Sequence, residues 1–124
     1  MKKVLVTGAS GFIGSTLIDR LLELGNYEVY AGVRKSSSRK YLQNPNIKFM
    51  DVAFSNPEKL KAQLEEEKFD CIFHFAGLTK AKNLKDFDMV NFELTKNLVD
   101  AIDDKTHRKL LKLSFLHTIS SYCL

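Results

Sequence analysis

The residues best suited to chemistry sit in one turn near the amino end. Gly8, Gly11 and Gly14 are spaced G-x-x-G-x-x-G within Thr7-Gly8-Ala9-Ser10-Gly11-Phe12-Ile13-Gly14. Between a strand and a helix, such a turn suits a pyrophosphate. The first glycine permits the tight turn, the second lets the backbone approach the phosphates, and the third lets the helix pack closely on the sheet. The helix that begins there aims its unpaired N–H groups and positive dipole end at the anion. The plainer reading is a crossover that needs glycine for geometry alone. Three glycines in this context favour a dinucleotide, with Gly8, Ser10, Gly11, Phe12, Ile13 and Gly14 as its contacts.

A second group follows. A site for a dinucleotide lacking a 2′-phosphate usually carries Asp or Glu about 20 residues past the glycines, to bind the ribose hydroxyls. Arg34 stands 20 residues after Gly14, and no acid takes that place. Its guanidinium can pair bidentately with a 2′-phosphate. Ser36 and Ser37 can donate hydroxyl hydrogen bonds to the same group, and Lys35 adds charge. A solvated basic turn is the alternative. The pattern favours NADP over NAD.

The surrounding pattern alternates strand-like and helix-like segments. Residues 2–7 read as a strand, 12–24 as an amphipathic helix stopped by Gly25-Asn26, 27–33 as a second strand and 47–50 as a third. Asn56-Pro57-Glu58 opens a helix to about residue 68, with Asn at the cap and Pro at the first helical position. Residues 70–76 form a nearly continuous apolar run, the mark of a parallel strand buried on both faces. A long amphipathic helix over 86–103 and a less cleanly patterned fifth strand over 110–119 complete the series. The expected fold is α/β, a Rossmann-type doubly wound parallel sheet ordered 3-2-1-4-5, truncated after the fifth strand.

The bulk composition excludes several classes. The 124 residues suffice for one domain, with 44% hydrophobic and 27% charged residues, an ordinary soluble balance. The net charge of +4 is scattered, and no basic stripe with interleaved aromatics points to nucleic acid. Glu65-Glu66-Glu67 reads as a solvated helix face. The apolar start is broken by Thr7-Gly8, so it is no signal peptide. No stretch has the length of a membrane span, and the expected location is the cytoplasm. Cys71 and Cys123 give neither a disulfide framework nor metal spacing, and Cys71 reads as a buried, reduced core residue. His74, His107 and His117 are too dispersed for a metal site.

The octet T-G-A-S-G-F-I-G at residues 7–14 resembles the T-G-x-x-G-F-I-G signature of extended short-chain dehydrogenases, the NAD(P)-dependent epimerase/dehydratase family. Asp51-Val52 resembles that family's acidic residue beside the adenine. His74-Phe75-Ala76-Gly77 resembles its H-x-A-[AG] segment. Val90-Asn91 resembles its V-N, with Leu98-Val99-Asp100-Ala101 following in register. The resemblance spans about residues 1–104, with the motifs in the family's order. It implies that the Asp51 carboxylate accepts from the adenine amino group with the Val52 backbone beside the ring. A plain turn or cap residue is the alternative for Asp51. It also implies that Phe75, Ala76 and Gly77 bring backbone close to the cofactor ribose, where small residues are needed. Members that use NADP often carry V-R where Val33-Arg34 stands. His74 reads as a satisfied core histidine rather than a catalytic one.

Catalysis in this family resembles hydride transfer supported by Ser or Thr and by a Tyr and a Lys at Y-x-x-x-K spacing. None of Tyr27, Tyr30, Tyr41 and Tyr122 has Lys four residues later. Ile119-Ser120-Ser121 resembles the end of the family's fifth strand, but no catalytic residue is assigned. The expectation is one NAD(P)-binding domain over 1–124, lacking the catalytic and substrate part. It would belong to an epimerase/dehydratase-like or reductase enzyme of sugar nucleotides or other small carbonyl or alcohol substrates. Substrate would be engaged only in a full-length form. The alternative is a non-catalytic dinucleotide-binding module, a sensor or interaction protein. A fifth strand left as an apolar sheet edge would favour homo-oligomers.

Overall fold

The computed structural model describes residues 1–75, 92, 93, 96–98, 100 and 101. The expected fifth strand, Ala76, Gly77 and Ser120-Ser121 lie outside the described residues.

The first strand, β1 (Lys2–Thr7), runs through the middle of the sheet. It pairs in parallel with β2 (Tyr27–Gly32) on one side and β4 (Cys71–His74) on the other. The short β3 (Lys48–Met50) pairs in parallel with β2, giving the order β3-β2-β1-β4. This is the Rossmann-type arrangement that the alternation of segments predicts. Backbone pairing extends past the formal strand ends. Val33 N–H donates to Met50 O at 3.1 Å, Asp70 N–H to Lys3 O at 2.8 Å and Phe75 N–H to Thr7 O at 3.2 Å. That accounts for strands one or two residues shorter than the apolar runs.

Successive side chains of a strand point to opposite faces, so a strand apolar at every position needs cover on both sides. Val4, Val6, Val29 and Ala31 join Ile18 and Leu21 of α1 (Phe12–Leu24) in one core. Leu5 and Ile72 join Leu60 and Leu64 of α2 (Pro57–Glu67), with Phe69, in the other. Leu98 and Ala101, from helical residues further along, add to that second core. Each fully buried Val, Leu, Ile or Phe side chain among them contributes about 1.5–3 kcal/mol.

The helix ends follow their sequences. Gly25 closes α1 in the left-handed region, with φ 74°, and its N–H donates to Leu22 O at 3.1 Å. Asn56 caps α2, its Oδ1 accepting from Lys59 N–H at 3.1 Å, and Pro57 follows it. At the amino edge of the sheet, Lys3 Nζ donates to both the carbonyl and the carboxylate of Glu67 at 3.0 Å. Tyr30 OH and Lys48 both donate to Glu28. This polar lattice ties the strand starts to the end of α2, opposite the glycine turn.

One reading of the apolar pattern needs correction. Cys71 is half-buried at the margin of the first core rather than fully enclosed. Phe12 and Ile13 fit the helical period of α1 but are 80% and 40% exposed. They occupy the first turn of α1, immediately after the glycine turn.

Among the described residues no helix is long and apolar enough to cross a membrane. No group of three or more His, Cys, Asp or Glu side chains there is arranged to hold a metal.

Candidate functional site

The glycine turn joins the carboxyl end of β1 to the start of α1. Gly8 has φ 66°, a conformation that costs a residue with a Cβ about 1–2 kcal/mol. Its carbonyl accepts from Gly11 N–H at 3.1 Å, which closes the turn. Gly14 is enclosed: a Cβ there would stand 2.5 Å from Gly8 O and 3.0 Å from Ala9 Cα. Glycine at position 14 is therefore demanded by the protein's own packing.

Gly11 differs. A Cβ on it would meet nothing nearer than Gly8 O at 3.4 Å, an ordinary contact. Gly11 is exposed. The open space in front of it is where an approaching phosphate would come closest to the backbone. Gly11 is also the N-cap of α1, and no side chain caps this helix. The N–H groups that open a helix have no partner within it, and the first turn of α1 carries no acidic residue. The hydroxyls of Ser15 and Thr16 both turn back to Phe12 O. Ser10 is half-buried beside Gly11. Among the described residues, the turn thus presents backbone donors with no acid in the first turn of the helix, a condition that suits a pyrophosphate.

The carboxyl ends of β1 and β4 are locked together. Thr7 Oγ1 lies 2.7 Å from His74 Nδ1, and Phe75 N–H donates both to Thr7 O and to Thr7 Oγ1, each at 3.2 Å. His74 is 2% exposed, and burial pushes its imidazole down from 6.5 to about 4. It is a neutral core histidine, as the sequence suggests. The Phe75 side chain is buried in the first core.

Arg34, Asp51 and Val52 come together beyond the ends of β2 and β3. They line a cleft of about 710 Å³ with residues 53–56, Lys59, Glu93 and Asn97. Ser36 and Ser37 belong to the adjoining turn, closed by Ser37 N–H donating to Arg34 O at 3.0 Å, and they do not line this cleft. Arg39 stacks over the Phe49 ring at 4.1 Å and does not line this cleft. The sequence reading overlooked Lys59, Glu93 and Asn97 at the cleft. It also overlooked Gln63, which grips the loop after β3: its Nε2 donates to Asp51 O at 2.9 Å and its Oε1 accepts from Ala53 N–H at 3.0 Å. No local motif marks these residues. They are polar positions on helices, brought to the loop by packing.

The two features lie at the carboxyl ends of neighbouring parallel strands, with α1 and α2 on opposite faces. In open α/β sheets that is where the ligand crevice forms. A helix start without an acid in its first turn and a cleft holding Arg34 and Asp51 have the chemistry suited to the pyrophosphate bridge and the adenosine end of an adenine dinucleotide.

Comparison with known proteins agrees with this class. Residues 4–122 match the NAD dependent epimerase/dehydratase family, and the chain belongs to that family. The GDP-6-deoxy-D-talose 4-dehydrogenase of Aggregatibacter actinomycetemcomitans is 36% identical over 115 residues, covering 91% of this chain and 34% of that protein. The UDP-Glc/GlcNAc 4-epimerase of Campylobacter jejuni superposes with a TM-score of 0.70 at 27% identity, over 82% of this chain and 33% of its own. The UDP-glucuronic acid 4-epimerase of Bacillus cereus, solved in complex with NAD, gives 0.66 at 30% identity, over 90% and 38%. The chain spans about a third of the length of these relatives.

Proposed function

We propose that residues 1–124 are the NAD(P)-binding portion of an enzyme that epimerises, dehydrates or reduces a sugar nucleotide. The observation that carries this reading is the start of α1. Glycine is sterically required at Gly14, the space before Gly11 is open, and the first turn holds neither a capping side chain nor an acid. When bound, the nicotinamide supplies a site for hydride transfer. The roles assigned to this chain are binding ones. The backbone of Gly8, Ser10, Gly11, Phe12, Ile13 and Gly14 holds the pyrophosphate. Asp51 and Val52 receive the adenine. Phe75, Ala76 and Gly77 border the ribose.

Within this reading NADP is preferred to NAD. Support comes from Arg34, which lines the same cleft as Asp51 and has no acid beside it in the sequence. Ser36 and Ser37 would add hydroxyl donors from the adjoining turn, and Lys35 a further charge. No Tyr and Lys at Y-x-x-x-K spacing occur in the 124 residues, so no proton-transferring group is assigned here. Substrate is engaged in a full-length form. A cytoplasmic site of action, and association of copies through residues 110–119, belong to the same proposal. The relatives named above are sugar-nucleotide enzymes, and they lend no support to a non-catalytic sensor.

Calorimetric titration with NADP⁺ and NAD⁺ tests the preference. NADP⁺ should bind more tightly, and Arg34→Asp should reverse or abolish the difference. Tighter binding of NAD⁺ by the unaltered chain would remove the 2′-phosphate role of Arg34.

A further inference from the structure

We propose that Gln63 is the positioning residue that selects adenine at the cleft, although it does not line it. This rests on the reading of Asp51 as the partner of the base. Among the described residues, three hydrogen bonds from helix side chains hold backbone groups of the loop after β3. Gln63 makes two of them, donating to Asp51 O and accepting from Ala53 N–H at 2.9 and 3.0 Å. Asn97 makes the third, donating to Phe54 O at 2.8 Å. A primary amide is suited to this grip because it offers a donor and an acceptor side by side. Its two bonds span Asp51 to Ala53 and fix the peptide planes on either side of Val52.

Asp51 is exposed, so nothing in the core dictates where its carboxylate points. The Gln63 clamp instead fixes the backbone from which that carboxylate projects, and with it the position of the Asp51 Cα–Cβ bond. Val52 packs against the second core together with Phe54, which anchors the loop's apolar side. Gln63 governs its polar side. Without the amide, Asp51 O and Ala53 N–H turn to water, and the backbone that carries the carboxylate is no longer held in one place.

The experiment compares NADP⁺ with its deamino analogue, in which hypoxanthine replaces adenine and a carbonyl oxygen stands where the amino group was. A carboxylate held in place accepts from the amino group and repels the carbonyl. The unaltered chain should prefer the adenine form by about tenfold. Gln63→Met, similar in size and without donor or acceptor, should weaken adenine binding about fivefold to tenfold and bring the ratio close to one. Gln63→Glu keeps the acceptor for Ala53 N–H and loses the donor to Asp51 O, and should give an intermediate ratio. It also serves as the deciding variant if Gln63→Met does not fold. A ratio unchanged in these variants overturns the role of Gln63 alone. Equal weakening of both dinucleotides assigns Gln63 to general loop stability and overturns it too. If the unaltered chain binds neither dinucleotide, the reading of the cleft itself falls, and the selecting role falls with it.

Discussion

Thr7 Oγ1 and His74 Nδ1 lie 2.7 Å apart in the interior, joining the carboxyl ends of β1 and β4 immediately before the glycine turn. The bond holds together the carboxyl ends of these two neighbouring strands, and it places an ionisable group in the interior, where His74 is 2% exposed. Burial keeps His74 neutral, pushed down from 6.5 to about 4.

Stability should therefore fall with acidity in a defined window. The unfolded chain takes up a proton on His74 near pH 6.5, whereas the folded chain resists until about pH 4. The contribution is complete above pH 6.5 and is lost as the pH falls from there towards 4, by about 3 kcal/mol at most. Urea unfolding at intervals between pH 7 and pH 4 measures it. His74→Gln, which retains a polar partner for Thr7, should flatten the slope over that window. An equally steep slope in the variant would place the acid sensitivity elsewhere.

Gly14 and Gly11 should separate folding from binding. Gly14→Ala drives a Cβ to within 2.5 Å of Gly8 O, which only a backbone shift relieves, and should cost about 1–3 kcal/mol. Gly11→Ala meets only ordinary contact and should cost less than about 1 kcal/mol, yet weaken dinucleotide binding about tenfold by crowding the phosphates. Chemical denaturation and calorimetry on both variants read the two effects. If Gly11→Ala binds as tightly as the parent, the phosphates do not approach position 11.

The α2 cap gives a purely local prediction. Asn56→Ala removes the acceptor of Lys59 N–H and should lower stability by about 1 kcal/mol. Asn56→Asp, which keeps an acceptor and adds charge at a helix start, should be nearly neutral. Thermal unfolding distinguishes them, and equal midpoints for all three chains would mean that the cap contributes nothing.

What was legible in the sequence was local. The Asn56-Pro57 cap, the Gly25 stop and the glycine turn each act within a few residues, so their types and spacing reveal them. The alternation of Val4, Leu5 and Val6 between two cores explains why unbroken apolar runs predict a sheet covered on both faces. The cleft was legible only in part. Arg34 and Asp51 were readable as separate motifs, but the bonds that shape the loop between them and α2 are not local. Gln63 reaches back 12 residues to Asp51, and Asn97 reaches back 43 to Phe54. A polar residue on a helix has the same appearance whether it faces water or grips a loop.

The central claim is that the start of α1 holds the pyrophosphate of a dinucleotide. Amide resonances of the ¹⁵N-labelled chain, followed during titration with NADP⁺, test it most directly. The account predicts saturable shifts centred on the N–H groups of Gly11, Phe12, Ile13 and Gly14, with a second set at Arg34 and at residues 51–53. Saturable binding that leaves the residues 11–14 amides unmoved, or no binding at millimolar NADP⁺ and NAD⁺, would contradict it.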